Sequence, residues 1–316
     1  MSKRYVKPLK ANYILKGESA RLLRSNRPVV LMMIFITVLP SLLVSVASTL
    51  TGASTANYLM NLMQDATSVL YTGTPQEAME AMSLYMQEKG WIEPVLNVIA
   101  SLIQPVLSVG VFFGILTMLR TGATELPVMF QRLRYWGKAI GVSVLTALKV
   151  LLWSLPGIAV SLIAPLMMVI SAANGGAVSE GLLTATPLLS TAGMALTAIL
   201  AAMANYRYAM GLYILADKPE TGVVACIRQS KQMMYGAKMQ LFTLELGYHL
   251  WTYLAVMASG IFGGVLGSTV SMAAQLFINV NRYSAVCNFY LAQNGENPKD
   301  VSAVPMNEDK QEDLTD

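Results

Sequence analysis

Ionisable side chains are scarce in the apolar parts of this sequence, and the few present have a spacing that chemistry could use. In FTLELGYHLWTYL, Phe242 to Leu254, Glu245 and the sole histidine, His249, stand four residues apart. On a helix that spacing puts a carboxylate and an imidazole on one face. Lys149 interrupts a second apolar run, and Arg207 and Arg282 lie in two more. A charged group at the centre of a membrane helix costs about 2.5–3.5 kcal/mol, so such residues turn to the bundle interior, pair, and mark a site or pathway. The candidate ligand-binding residues are therefore Lys149, Arg207, Glu245, His249 and Arg282, with Glu245 expected to pair with Lys149 or Arg282 and His249 beside them. Three cations face one carboxylate, which favours an anionic ligand such as a lipid phosphate. The competing reading is that these groups link helices and hold no ligand, since polar side chains also fix packing inside membranes.

The elements that must carry them are apolar helices. Of 316 residues, 54% are hydrophobic and 13% charged, about half the charge of an ordinary soluble domain. The apolar residues cluster in runs long enough to cross about 30 Å of hydrocarbon as helix. No stretch alternates as a membrane barrel strand would. The expected fold is all-α: a polytopic transmembrane helical bundle of six spans, near 28–50, 92–119, 139–171, 182–216, 239–262 and 267–292. The first is too long for a signal-peptide core and is read as an uncleaved span. The third exceeds a straight crossing, so tilt, a kink at Pro156 or Pro165, or extension beyond the bilayer must absorb the excess. Counted along the helices, Glu245 lies roughly 10 Å deep, His249 roughly 15 Å, Lys149 about 16 Å, and Arg282 with Asn279 about 15–20 Å.

Basic residues set the orientation. Lys3, Arg4, Lys7, Lys10, Lys16, Arg21, Arg24 and Arg27 precede the first span. Arg120, Arg132, Arg134 and Lys138 separate the second and third, and Lys218, Arg228, Lys231 and Lys238 the fourth and fifth. The other side carries Asp65, Glu77, Glu80, Glu88 and Glu93 against Lys89. Both termini are expected in the cytoplasm and the protein in the cell membrane. Three regions follow: a basic segment 1–27, a membrane domain 28–292, and an acidic tail 293–316 expected to be disordered. Within the membrane domain, TPQE at Thr74–Glu77 is a capping box, and 51–91 reads as an outer helical hairpin. Its methionines suit packing better than a copper site, because no Cys or His joins them. Residues 219–238, with Val223, Cys226, Ile227, Met233 and Met234 at helical spacing, read as an interfacial helix on anionic lipid. GxxxG pairs at Gly110/Gly114, Gly137/Gly141, Gly260/Gly264 and Gly263/Gly267 point to close helix packing.

Several functions are disfavoured. The basic residues flank spans and form no aromatic-basic surface for nucleic acid. Cys226 and Cys287 form no CxxC motif and are read as reduced thiols. No Walker loop, HExxH, nucleophile elbow or calcium loop occurs. Neither a metal, nor a cofactor, nor enzymatic activity is expected.

Two longer runs carry a resemblance. YRYAMGLYILADKPE (Tyr206–Glu220) has a tyrosine-rich helix end before Asp217 and Pro219. IRQSKQMMYGAKMQLFTLELGYHLW (Ile227–Trp251) has Ser230, Met233 or Met234, and Gly236, then Phe242, Leu244, Glu245, Leu246 and Trp251. With LLWSLPGI (Leu151–Ile158) and the closing NFY at Tyr290, these resemble domain-of-unknown-function family 975. The resemblance implies a multi-pass bacterial membrane protein and assigns no activity. The expectation carried forward is a non-enzymatic protein that binds or moves a small or lipid-like anion, with membrane lipids as partners. A structural or assembly factor for another membrane protein complex is the alternative.

Overall fold

The structure is a computed structural model that describes residues 10–51, 90–173, 180–262 and 264–299. Within these residues it is helical throughout, with no strand. The helices are α1 (Asn12–Leu50), α2 (Ile92–Thr121), the short α3 (Leu126–Phe130), α4 (Trp136–Ala173), α5 (Glu180–Tyr208), α6 (Gly211–Asp217), α7 (Val223–Met233), α8 (Lys238–Phe262) and α9 (Gly264–Asn294). Four segments, within α1, within α2, from α3 into α4, and from α5 through α6, are long and apolar enough to cross a membrane. α8 and α9, of 25 and 31 residues, are long enough to cross but carry more polar groups: Glu245 and His249, and Gln275, Asn279, Asn281, Arg282 and Asn288. The outer hairpin expected over 51–91 lies almost wholly outside the described residues, as do Gly263 and the tail beyond 299.

Contacts sort the six long helices into two bodies. α1, α2, α8 and α9 form a bundle in which α1 packs on α2 and α9, and α9 on α8. α4 and α5 pair most extensively of all and meet the bundle through α2, α6, α7 and α8. The α4–α5 seam has a local cause. Pro165 has no N–H, which frees the carbonyl of Ser161 four residues back. The Ser190 hydroxyl donates to that carbonyl at 3.3 Å. Gly193 packs against Ser161, and Gly157 against Thr197, so closely that a Cβ on either glycine would run into the facing backbone. α4 runs through both prolines, and at Pro165 the freed carbonyl is satisfied from the neighbouring helix.

The basic segments gather at one end. Asn12 Nδ2 donates to the Gln240 carbonyl at 3.2 Å, joining the starts of α1 and α8. Asn26 Nδ2 donates to Gly122 O at 2.8 Å, and Asn26 Oδ1 accepts from the Thr124 N–H at 3.2 Å. These bonds tie α1 to the end of α2, where Gly122 takes a left-handed φ of 89° and closes the helix through Met118 O. The core sits at this basic end: Leu15, Leu23 and Met33 from α1, Ile115 and Leu116 from α2, Met210 and Leu215, Leu244, and Phe289 and Tyr290 are all but fully buried. Towards the far end the surface turns apolar and exposed, as at Leu43, Val98, Leu155, Ile170, Leu188 and Met257.

Three details of the described residues add to this. The basic segment 1–27 is not separate from the first span. α1 starts at Asn12 and runs 39 residues, about 58 Å at 1.5 Å per residue. Leu15, Ser19, Leu22, Leu23 and Asn26 make its first turns a packed face. The tail does not loosen at 293 either: the Lys299 N–H donates to Leu119 O at 2.8 Å, and its Nζ donates to Thr121 O at 2.8 Å. Finally, α7 forms where its periodicity places it, but its apolar face meets protein. Cys226 and Ile227 are buried, and Val223 lies against Gly141 of α4. Among the GxxxG glycines, Gly110 and Gly114 meet Met129 and Met33, whereas Gly137 faces open space.

Candidate functional site

Of the candidate residues the structure joins two. Glu245 is on the second turn of α8 and Arg282 lies within α9, the helix it packs against. Glu245 Oε1 and Arg282 Nε are 4.0 Å apart, with side chains 19% and 25% exposed. The separation is an ion pair without a direct hydrogen bond from that nitrogen, which has no other acceptor among the described residues. Aromatic side chains enclose the pair. The Tyr206 phenol interacts with Glu245, its ring meets Phe242 edge-on with centroids 5.7 Å apart, and Arg282 lies 5.0 Å from the Tyr283 ring centroid. A charge pair in this setting neutralises two groups that hydrocarbon could not solvate.

The other three candidates stand apart from it. His249 is half-buried one turn along from Glu245 and forms no hydrogen bond or ion pair among the described residues. Lys149 is half-buried on α4, which packs chiefly on α5, α2, α7 and α6. No ion pair within the described residues includes it. Arg207 sits in the last turn of α5, its guanidinium carbon 5.5 Å from the Trp153 ring and 5.9 Å from the Tyr208 ring. With Trp153, Met203, Ala204 and Lys238 it lines a notch of about 20 Å³.

A larger open cavity of about 250 Å³ lies between α4 and the corner where α5 gives way to α6. Val142, Ser143 and Thr146 form one wall, and Asn205, Tyr208 and Leu212 the other. Lys149 follows Thr146 by three positions, one turn on along the same face. None of Lys149, Glu245 or His249 lines this cavity.

The best-determined polar group is one the charge count passed over. Arg120, ending α2, donates through Nη1 to Asp217 at 2.6 Å and through Nε to Glu296 at 2.8 Å. Tyr290 of α9 donates to the other Asp217 oxygen at 2.9 Å. Asp217 is 8% exposed, so one carboxylate staples α2, α6 and α9. Nearby, Ser230 of α7 accepts from the Met210 N–H at 3.1 Å and donates to Arg207 O at 3.3 Å. It thereby satisfies backbone groups that the break between α5 and α6 would orphan. Glu18 of α1 likewise binds Lys10 at 2.7 Å and the Asn288 amide at 3.1 Å. Both cysteines are free and buried, and burial raises the Cys226 thiol above its ordinary value, which keeps it unreactive. No cluster of His, Cys, Asp or Glu suited to a metal occurs among the described residues.

Helical architecture, four helices fit to cross a bilayer and a charge pair held inside the bundle define the class: an all-helical protein with the build of a membrane protein. The family model described as Protein of unknown function (DUF975) matches residues 15–292, and the chain belongs to that family. No curated protein and no solved structure matches it. The runs that carried the resemblance now have physical roles, since Asp217 and Ser230 are among the residues that lock the basic end together.

Proposed function

We propose that the chain is a non-enzymatic, six-span protein of the cell membrane, its basic end and both termini in the cytoplasm, that binds or moves a small or lipid-like anion. One observation carries the reading. Glu245 is neutralised by Arg282, which leaves Lys149 and Arg207 without an acid among the described residues. Lys149 at membrane depth is costly unless something compensates it, Arg207 nearer the basic end attracts anions at the interface, and an anion recruited from lipid or solution serves both. The six-span orientation is supported by the gathering of the basic segments at one end, which the positive-inside rule puts in the cytoplasm. α8 and α9 complete the span count because Glu245 and Arg282 cancel within the pair that they form.

The alternative, an assembly factor for another membrane protein, is favoured by the exposed apolar face of α4 and α5, including Leu151, Leu155, Leu166 and Leu188. Native mass spectrometry of the purified full chain separates the two. The anion reading expects a retained anionic species, lipid or small molecule, whose occupancy falls in Lys149→Gln or Arg207→Gln. A stoichiometric protein subunit with no retained anion would replace it by the assembly reading.

A further inference from the structure

The geometry points to an anionic-lipid headgroup site at the notch where α4, α5 and the start of α8 meet, with Arg207 and Lys238 as its cations and Trp153 as its wall. It rests on the anion-binding reading above and gives it a place and a ligand class. Arg207 and Lys238 line the same small notch, and no ion pair among the described residues includes either one. Two cations held this close repel each other, and an anion seated between them turns that repulsion into attraction. The site is also built. Arg207 is positioned by the Trp153 and Tyr208 rings, and its carbonyl is fixed by Ser230. Lys238 opens the 25-residue α8, whose N-terminus adds the positive end of a helix dipole.

What selects a lipid over a free phosphate is the surface leading away from the notch. Met203 and Ile199 precede Arg207 by one and two turns on α5 and are 51% and 58% exposed. On α8, Leu246 and Leu250 continue beyond Lys238 at 50% and 59%. The two apolar tracks run from a cationic head towards the far end, as acyl chains run from a phosphate. The notch lies at the basic end, at the level where headgroups meet juxtamembrane Lys and Arg.

The test uses the full chain in nanodiscs of mixed phosphatidylglycerol and phosphatidylcholine, with native mass spectrometry counting retained lipids. The wild type is expected to retain phosphatidylglycerol in preference, and Arg207→Gln with Lys238→Gln to lose about 30-fold in affinity, from roughly fivefold per cation. Should the double variant fail to fold, each single variant is expected to lose about fivefold, while Arg207→Lys retains binding. Unchanged retention in the folded double variant, with loss in Lys149→Gln, would overturn this site and leave anion binding standing. No preference for phosphatidylglycerol, and no other retained anion, would overturn both. Displacement of the lipid by excess inorganic phosphate would overturn the lipid assignment, because it would show that the acyl tracks contribute nothing.

Discussion

The two ends of this molecule are held by different physics. At the basic end, α1, α2, α6, α7 and α9 are joined by directed bonds: Asn26 to Gly122, Arg120 to Asp217, Tyr290 to Asp217, and Ser230 to the α5–α6 break. Each needs a particular residue at a particular place. Towards the far end the helices present Leu, Ile and Met outward, and the one close seam among the described residues, between α4 and α5, depends on Gly157, Gly193 and a proline-freed carbonyl. The difference shows where this chain spends its sequence specificity. Hydrocarbon accepts almost any apolar side chain, so the far half is specified by size and hydropathy. A buried polar group must find its partner or cost its desolvation, so the basic end is specified atom by atom.

The sharpest way to break this comparison is to truncate one leucine in each half. Leu116→Ala, at a fully buried position of the basic-end core, is expected to lose about 3 kcal/mol. Leu155→Ala, half exposed on α4, should stay within about 0.5 kcal/mol, as surface changes do. Denaturant unfolding in one detergent reads both, and equal losses would show that the far half is packed as tightly as the core. Gly193→Val then probes the exception. Its side chain would meet the Ser161 backbone, so the seam must open at a cost of about 2 kcal/mol. If thermal unfolding does not move, the α4–α5 contact is looser than described.

The same contrast explains what could be read from the sequence. Helices, their order and the far-end surface follow from hydropathy runs, and long α4 and α8 begin within three residues of where those runs begin. Orientation of the basic segments to one end also follows, because charge sits in the chain itself. The pairing of Glu245 was narrowed to Lys149 or Arg282, and nothing local could choose, since the choice depends on α8 packing on α9 and not on α4. Asp217 was noticed only as part of a turn, because its partners Arg120, Tyr290 and the distant α9 converge only after folding. The packed start of α1 had a visible signal. Leu15, Leu22, Leu23, Asn26 and Val30 recur at helical spacing, but the surrounding lysines and arginines read as a solvated segment.

Asp217→Asn sharpens the account of the basic end. It keeps the shape and an acceptor for Tyr290 and removes the charge facing Arg120. Breaking a fully buried pair costs about 3–5 kcal/mol. Arg120 here is one-third exposed and keeps Glu296, which reduces the expectation to about 1.5 kcal/mol by the weak end of ion-pair energetics. A melting temperature in detergent that is unchanged at low salt would remove Asp217 from its role as staple.

Ser230→Ala is the smallest of the changes at the basic end and the most diagnostic. The hydroxyl is fully buried, accepts from the Met210 N–H and donates to the Arg207 carbonyl. Removing it leaves a buried amide without its acceptor, at about 1 kcal/mol. Global stability should therefore fall little, while the Met210 amide, otherwise protected, should exchange with solvent faster by roughly the fivefold that this energy allows. Far-half amides on α4 and α5 should not respond. A far-half response equal to that at Met210 would mean that the two ends open together, and the division drawn here between directed bonds and apolar packing would not describe how this protein comes apart.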